Sequence, residues 1–295
     1  WGAAARATRR RVTDDAAQTF EPHREYLLGV AYRMLGSIAE AEDAVQDAFL
    51  RWQSVERTTV QDPRAYLRRV VARLGLDRLK SARARRERYV GPWLPEPLIE
   101  DPASVEMADD VSVALLMTLE RLSPLERAAF LLHDVFDMDY SAIAEVLERS
   151  EPACRQLAAR ARTHVRSERS RFTPSREAET RLVQGFTAAM YSGDVDGLAK
   201  LLADDAVFYS DGGGKRTAAL KPIYGRDRIV RFVIGVSKKR APISTASIRP
   251  VRINGLPGFV VRDPDGIETI AIETSGDQIV AIYAIRNPEK LRHLS

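Results

Sequence analysis

The chain has 295 residues, a length typical of two or three domains, and 45% of them are hydrophobic, enough to form sizeable cores. Its single cysteine excludes a disulfide framework, and no apolar run is long enough to span a membrane, so we expect a cytoplasmic protein. Lys and Arg outnumber Asp and Glu by only 45 to 41, so net charge alone identifies no partner. Residues 1–11 lack the apolar segment of a secretory signal, and we expect a basic tail there.

Two neighbouring helices are predicted near the N-terminus. Over residues 26–35 and again over residues 40–52, apolar residues recur every three or four positions, which indicates helices with one buried face. Gly36 stands where a left-handed cap would end the first helix, and Ser37 is a suitable N-cap for the second. Because the connection is short, the two helices should pack antiparallel. Acidic residues at the same spacing flank the second stripe, and taken alone they indicate a solvated helix face.

A third helix is predicted from Asp62, an N-cap followed by proline at the first helical position, to about residue 80. Basic residues surround its apolar stripe: Arg64, Arg68, Arg69, Arg73, Arg78 and Lys80. Nearly all of this charge has one sign, which is unfavourable unless phosphates offset the repulsion. The helix is therefore a candidate for DNA contact, although arginines beside an apolar stripe also occur on ordinary solvated helices.

A proline-rich linker follows. Residues 91–102 contain four prolines and no periodicity, which predicts a semi-rigid connection. Exposure of the apolar side chains of Trp93 and Leu94 to water is unfavourable. Two alternatives remain: the linker docks on another surface, or it is a plain linker with one buried tryptophan.

A helix-turn-helix is predicted in the middle of the chain. Residues 123–126 (Ser-Pro-Leu-Glu) form a strong helix start. A short helix over residues 140–147, a tight turn and a basic helix opened by Ser150 then follow the order of a helix-turn-helix, whose second helix enters the major groove. Glu148 and Arg149 occupy a turn in which glycine is common, so one of them should adopt a left-handed conformation. The side chains predicted to face outward are of types that read base edges: Arg155, Gln156, Arg160, Arg162 and Arg166.

From about residue 173 the pattern changes to helices followed by strands. Alternating strands are predicted at roughly 244–253, 258–261, 267–274 and 278–286, with hairpin turns between them. This order indicates an α+β fold with a curved antiparallel sheet over helices. Asp211, Tyr209 and Tyr224 are available for isomerase-type chemistry, which needs a base and an oxyanion donor in a closed apolar pocket. We expect no catalysis, because a fold alone does not establish activity.

A glycine-rich motif, DGGGK, precedes those strands. Its residues are Asp211, Gly212, Gly213, Gly214 and Lys215. The motif is not a phosphate-binding loop, because Arg216 follows the lysine where Ser or Thr is required. Two alternatives remain: a simple hairpin turn, or a place where three glycines allow another segment to approach the backbone closely.

Several of these motifs resemble the extracytoplasmic-function sigma factors. The resemblance is carried by AEDAVQDAFLRW at residues 41–52, by DPRAYLRRVVARLGLDRLK at residues 62–80, and by SPLERAAFLLHDVFDMDYSAIAEVLERSEPACRQLAARAR at residues 123–162. A subset of the family has a fused SnoaL-like domain, the cone-shaped fold of polyketide cyclases and ketosteroid isomerases, with a WLPEP linker, DGGGK and an NPDKL-like motif. This chain has WLPEP at residues 93–97 and NPEKL at residues 287–291, where glutamate replaces the expected aspartate.

The resemblance implies a role for each motif. Core RNA polymerase would bind through Glu42, Asp43, Gln46, Asp47 and Phe49. The minus-ten promoter element would be read by Tyr66 and the basic residues of the third helix, with the loop at residues 53–62. The minus-thirty-five element would be read by Ser150 and the helix that it opens. Regulatory contacts would involve Trp93, Leu94, Pro95, the DGGGK residues, Asn287, Pro288, Lys290 and Leu291.

We therefore predict a multidomain protein, with two all-α DNA-binding domains and one α+β domain. The predicted segments are sigma region 2 at residues 15–90, a linker at 91–108, the region 4 helix-turn-helix at 109–171 and a SnoaL-like regulatory domain at 176–295. The predicted function is promoter-directed initiation of transcription, regulated in cis, with no cofactor, no metal and no separate anti-sigma factor. The alternative is a one-component DNA-binding regulator whose C-terminal pocket binds a small ligand, and such a ligand is conceivable in either case.

Overall fold

The computed structural model describes residues 15–86, 89–100, 112–168, 176–238 and 247–294. The chain divides into two compact units, one formed by residues 1–85 with 118–168 and the other by residues 86–117 with 169–295. The division into four segments made from the sequence stays a prediction. Parts of those predictions lie outside the described residues, namely the linker after residue 100, the start of the region 4 segment and its end after residue 168.

The described part of the first unit is helical. Its elements are α1 (Arg24–Leu35), α2 (Ile38–Gln53), α3 (Pro63–Arg86), the end of α4 (Val113–Glu120), α5 (Pro124–Phe130), a π-helical turn (Leu131–Val135), α6 (Tyr140–Leu147) and α7 (Glu151–Glu168). Helix α3 continues past its predicted end near residue 80. Within the described ranges, no helix combines the length and the apolar character needed to cross a membrane.

Local signals place α1 and α2 as predicted. Gly36 ends α1 in a left-handed conformation with φ 67°, which a residue without Cβ adopts freely. The Ser37 side chain then accepts a hydrogen bond from the Glu40 N–H at 3.2 Å and opens α2. The predicted apolar stripe of α2 is buried, and the Trp52 indole donates to Thr19 Oγ1 at 3.0 Å. The first two helices and the helical residues 15–20 therefore share one core.

Local signals also shape the helix-turn-helix. Ser123 and Glu126 form the reciprocal capping box that begins α5. Glu148 ends α6 with φ 54° and ψ 51°, which confirms that a non-glycine residue in this turn is left-handed. Cys154 is fully buried on the inner face of α7, and burial raises the pKa of its thiol, as expected of a small core residue.

The second unit contains a sheet and helices. Its elements are α8 (Arg176–Ser192), α9 (Val195–Leu201), α10 (Arg226–Ser237), β1 (Leu202–Asp211), β2 (Ile223–Tyr224), β3 (Ile248–Ile253), β4 (Leu256–Asp263), β5 (Gly266–Ser275), β6 (Gln278–Ile285) and a 3-10 helix (Pro288–Leu294). The strand order is β2-β1-β6-β5-β4-β3, and β1 pairs in parallel with β6 whereas the other pairs are antiparallel. Helices followed by an antiparallel meander confirm the predicted α+β class.

Both faces of the sheet are covered. On one face the helices bury Phe186 and Ile229 against strand residues such as Phe259. Side chains alternate along a strand, so the remaining apolar residues face the other way, where they meet Leu94 of the linker and Leu291 of the C-terminal 3-10 helix. The linker therefore packs as part of the second unit.

Candidate functional site

Helix α2 presents a mostly exposed acidic flank. Three of the predicted polymerase-binding residues are exposed along it: Glu42, Asp43 and Gln46. Asp47 is bound within the unit, because its Oδ2 lies 2.6 Å from Arg78 Nη2. Phe49 is half-buried, with its ring edge-on to Phe20 at 5.1 Å. Leu50, which the apolar spacing left outside the buried stripe, is 54% exposed on the same helix.

Helix α3 carries its basic residues at exposed and half-buried positions, and the same unit supplies contacts for them. The Arg64 guanidinium lies over the Tyr26 ring at 4.1 Å. Tyr66 packs against Trp52, with 5.6 Å between ring centroids. Arg68 Nη1 donates a hydrogen bond to the Phe136 carbonyl oxygen, in the turn before α6, at 2.8 Å. The repulsion among these arginines is therefore offset partly by groups of the chain itself.

The start of α7 is open to solvent. Ser150, Arg155 and Gln156 are all exposed there. Arg155 is bound by Glu151 of the same helix at 2.7 Å, and its guanidinium lies 5.2 Å from the centre of the Tyr140 ring. These contacts leave the outward side chains at the start of α7 exposed.

The next arginines of α7 bind the protein. Arg160 Nε lies 2.9 Å from Glu126 Oε1 of α5. Arg162 Nε lies 2.6 Å from Asp134 Oδ1, and its Nη2 donates to the Tyr140 hydroxyl at 2.9 Å. The hydrogen bonds with Asp134 and Tyr140 raise the pKa of the Arg162 guanidinium. Both arginines thus hold α7 against its neighbours, while the side chain of Arg166 lies outside the described residues.

A buried polar cluster, here called the Asp211 cluster, consists of Tyr89, Leu94, Asp211, Asn287 and Lys290. Asp211 at the end of β1 is fully buried. Its Oδ1 accepts hydrogen bonds from the Tyr89 hydroxyl at 2.6 Å and from the Gly213 N–H at 3.0 Å. Its Oδ2 accepts from the Leu94 N–H at 2.9 Å and from Lys290 Nζ at 2.8 Å. Such a set of donors compensates a buried carboxylate.

The parallel pairing of β1 with β6 explains why distant motifs meet here. Asp211 lies opposite Ile285 in that ladder. Its carbonyl oxygen also accepts from the N–H groups of Arg286 and Asn287, at 2.8 and 3.0 Å. The glycine motif after β1 and the NPEKL motif after β6 are therefore adjacent.

Lys290 closes the cluster over the linker. Its Nζ also donates to the Leu94 carbonyl oxygen and lies 4.0 Å from the centre of the Trp93 ring, a cation–π contact. Asn287 Nδ2 donates to the Tyr89 hydroxyl oxygen at 2.8 Å. Burial and the Asp211 carboxylate raise the pKa of the Tyr89 hydroxyl, which therefore stays protonated and donates to Asp211. The segment from Tyr89 to Leu94 is thus docked through the Leu94 backbone and through the side chains of Tyr89 and Trp93.

The glycine motif is a point of close approach between segments. Gly213 has φ 60°, and a Cβ there would lie 2.2 Å from Asn287 Nδ2. Gly214, with φ 70°, faces Val90, whose Cβ would lie 3.3 Å from an added Cβ. Lys215 forms an ion pair with Glu289, and the hydrogen bond from Lys215 lowers the pKa of that carboxyl. The glutamate that replaces aspartate in NPEKL therefore binds the last residue of DGGGK.

Comparisons with known proteins identify the family. The family described as Sigma-70 region 2 matches residues 19–85, and the one described as Sigma-70, region 4 matches residues 112–165. Over 286 residues, 92% of this chain and 91% of the relative, the chain is 40% identical to the ECF RNA polymerase sigma factor SigJ of Mycobacterium tuberculosis. This chain is an extracytoplasmic-function sigma factor.

Two further comparisons support the family across the chain. The sigma factor is 37% identical over 289 residues, 94% of this chain and 95% of the relative, to a probable ECF RNA polymerase sigma factor, SigI, of Mycobacterium tuberculosis. The crystal structure of SigJ matches it with a TM-score of 0.78 at 36% identity, covering 94% of this chain and 98% of that one. Binding to core RNA polymerase and promoter DNA follows from the family. The one-component regulator considered from the sequence is not favoured.

The residues considered for isomerase chemistry have other contacts or are exposed in this sigma factor. Asp211 is bound within the Asp211 cluster. Tyr209 stacks on Tyr283 with 5.4 Å between ring centroids, and Tyr224 is 58% exposed. The carboxyl whose pKa burial raises is instead that of Glu273, which accepts a hydrogen bond from the Tyr283 hydroxyl at 2.6 Å.

Two residues of the sigma factor that sequence reasoning missed are Tyr89 and Phe136. Tyr89 precedes the WLPEP linker and supplies its hydroxyl to Asp211, but a single aromatic beside a basic run gives no periodic signal. Phe136 lies in the turn before α6 and contacts α1 and α3. Its only signal was a large apolar residue in a turn, where exposure would be unfavourable.

Proposed function

We propose that this sigma factor is regulated in cis through the Asp211 cluster. The observation that carries the proposal is that one buried carboxylate binds the linker at Tyr89 and Leu94, the glycine motif at Gly213 and the tail at Lys290. The four contacts come from three segments far apart in sequence. Loss of only one partner from a buried cation–carboxylate pair is unfavourable, because the partner that remains is a buried, uncompensated charge. The contact therefore opens or closes as one unit.

Docking of the linker restrains the two promoter-binding regions that it connects. Leu94 is fully buried against the sheet, so release of the linker would expose this side chain. Because linker and second unit are one chain, their local concentration is on the order of millimolar, and weak contacts suffice to keep them docked. Core polymerase would bind the undocked state and so shift the population away from the docked one. The size of this shift is set by the difference between the affinities of polymerase for the two states.

Each predicted surface has a place in this function. We assign contact with core polymerase to Glu42, Asp43 and Gln46, recognition of the minus-thirty-five element to Ser150, Arg155 and Gln156, and contact with the minus-ten element to α3. The fused domain takes the role that a separate anti-sigma factor would have, and it acts without catalysis, in the cytoplasm with polymerase. A small ligand in the C-terminal domain stays a prediction.

Run-off transcription with core polymerase tests the proposal. The proteins are the full chain, a version that ends at residue 171, and the full-length variants Asp211→Asn and Asp204→Asn. Asp204 is a matched control, since it is an exposed aspartate of the same unit whose Oδ1 lies 2.8 Å from Arg226 Nη1. We expect higher transcript yield from the shortened protein and from Asp211→Asn than from the parent and the control. Equal yields from all four would exclude regulation through the cluster.

A further inference from the structure

The arginines on the outer side of α3 are bound by oxygen atoms of the helix-turn-helix in the same unit. Arg69 Nη1 lies 3.4 Å from Glu145 Oε2, and Arg73 binds the Glu148 carboxylate. Arg69 and Arg73 are four residues apart on one helix, while Glu145 and Glu148 are three residues apart at the end of α6. The two arginines therefore lie on one face of α3, whereas Glu145 lies on α6 and Glu148 in the turn that ends it, and the two ion pairs form side by side.

Packing reinforces this contact. The Phe136 ring meets the Tyr26 ring edge-on at 5.9 Å, and the Arg33 guanidinium lies 5.5 Å from its centre. The Phe136 carbonyl oxygen accepts the hydrogen bond from Arg68 at 2.8 Å. Nearby, the Arg127 side chain is 1% exposed and donates to the Arg33 carbonyl oxygen at 3.0 Å. Region 2 and region 4 thus share an interface with an apolar centre and the two ion pairs beside it.

The backbone at Glu148 points to a role for its side chain. Glu148 adopts the left-handed conformation, in which a Cβ is unfavourable and glycine is not. A glycine would end α6 without strain but would leave Arg73 without its carboxylate. The residue present is the one that keeps this ion pair at the expense of local strain.

We propose that Glu145 and Glu148 form an acidic surface that occupies the DNA-binding arginines of α3 in the free sigma factor, in place of promoter phosphates. A guanidinium bound to a carboxylate must exchange it for a phosphate, so DNA and the acidic surface compete for Arg69 and Arg73. The surface lies beside the turn before α7, so its release frees Arg69 and Arg73 of α3 next to the start of the helix-turn-helix's second helix. This inference rests on the proposed role of α3 in binding DNA.

Phosphate contacts do not depend on base sequence, so a fluorescent mixed-sequence DNA duplex serves as the probe. Its affinity for the full-length protein is measured by anisotropy at one fixed salt concentration. The variants are Glu148→Gln, Glu145→Gln/Glu148→Gln and a matched control, Asp204→Asn. The control removes the same single charge as Glu148→Gln from an exposed ion pair, yet Asp204 pairs with Arg226 of the second unit at 2.8 Å and with no arginine of α3 among the described residues.

We expect the double variant to bind the duplex about three- to tenfold more tightly than the parent, the range that loss of two exposed ion pairs allows. Glu148→Gln should show part of this gain, and Asp204→Asn less than a twofold change. An equal gain from Asp204→Asn and Glu148→Gln would mean that only net charge matters and would overturn the proposal. So would an unchanged affinity of the double variant. If glutamine disturbs the turn, as judged by circular dichroism, Glu148→Gly provides the same test, because glycine favours that backbone.

A further pair of substitutions separates this inference from the role of α3. In the double-variant background, Arg69→Ala/Arg73→Ala should reduce affinity for the duplex and lower the salt dependence of binding. If Arg69→Ala/Arg73→Ala lowers the affinity, while Glu145→Gln/Glu148→Gln binds the duplex with the same affinity as the parent, α3 binds DNA and the acidic surface has no role. If Arg69→Ala/Arg73→Ala changes nothing, both the α3 assignment and the inference fail.

Discussion

At the residue scale, Gly213 is a position where the sigma factor depends on having no side chain. Its φ of 60° disfavours any residue with a Cβ, and Asn287 lies where that Cβ would be. Lys215 and Glu289 pair beside it, so the glycine motif is held against the tail by contact and by charge. Gly213 and Gly214 therefore allow another segment to approach closely, whereas Gly212 lies within a turn, crowded by the Arg216 carbonyl oxygen, so both alternatives left open by the sequence apply.

We expect Gly213→Ala to loosen the linker as well as strain the loop. The control is Gly276→Ala, because Gly276 has φ 59° but no atom within 4 Å of an added Cβ. The control should lose about 1–2 kcal/mol of unfolding free energy from backbone strain alone. Gly213→Ala should lose more, and hydrogen exchange at residues 89–94 should accelerate in this variant only. Similar exchange in both proteins would show that Gly213 acts through its backbone and not through contact.

At the element scale, α7 divides into an exposed start, to which we assign base reading, and a part bound to its neighbours. Arg155 and Gln156 in its first turns are exposed, whereas Arg162 bridges Asp134 and Tyr140. Arg155→Ala or Gln156→Ala should relax preference at the minus-thirty-five element by about 1–3 kcal/mol, the usual effect of losing a bidentate base contact. Arg162→Ala should instead lower thermal stability and weaken binding to all sequences alike. Selection from a randomised promoter library measures preference, and a change of preference in Arg162→Ala would contradict this division.

Helix α2 gives a second prediction at this scale. Asp43→Arg should abolish or strongly reduce co-purification with core polymerase, because a reversed charge on the exposed flank repels a basic partner surface. Asp47 is less suitable for the test, since its substitution would also release Arg78. Glu25→Arg on α1 is a control, because Glu25 is exposed outside the flank. Undiminished polymerase binding by Asp43→Arg would exclude the flank as a docking surface.

The same elements show what sequence can predict. The caps at Gly36 and Ser123 and the left-handed Glu148 follow from interactions within a few residues, so local patterns predicted them. The parallel β1–β6 pair and the use of Tyr89 depend on contacts between segments far apart in sequence, which no periodicity encodes. Arg160 and Arg162 were predicted to face DNA because spacing gives the side of a helix, but it does not say which acidic residue lies opposite.

At the scale of the whole molecule, the Asp211 cluster joins three segments through one buried ion pair. We expect Lys290→Met to lower the unfolding free energy by about 3–5 kcal/mol, because Asp211 is left buried without a cation. Adding Asp211→Asn to Lys290→Met should restore part of that loss, since the uncompensated charge is gone. Chemical denaturation of the parent, both single variants and the double variant measures the coupling. Strictly additive effects would mean that the two side chains do not act together.

The long sequence separation within the cluster also sets an order of events during synthesis. Lys290 follows Leu94 by 196 residues, and strand β6 comes just before Lys290 in the chain. At ordinary translation rates this separation corresponds to about 10–40 s between the emergence of the linker and that of its lysine partner. Throughout that interval Leu94 is without Lys290, and Asp211 itself emerges only partway through it. Each new copy of the sigma factor therefore acquires its two promoter-binding regions well before it acquires the contact that we propose restrains them.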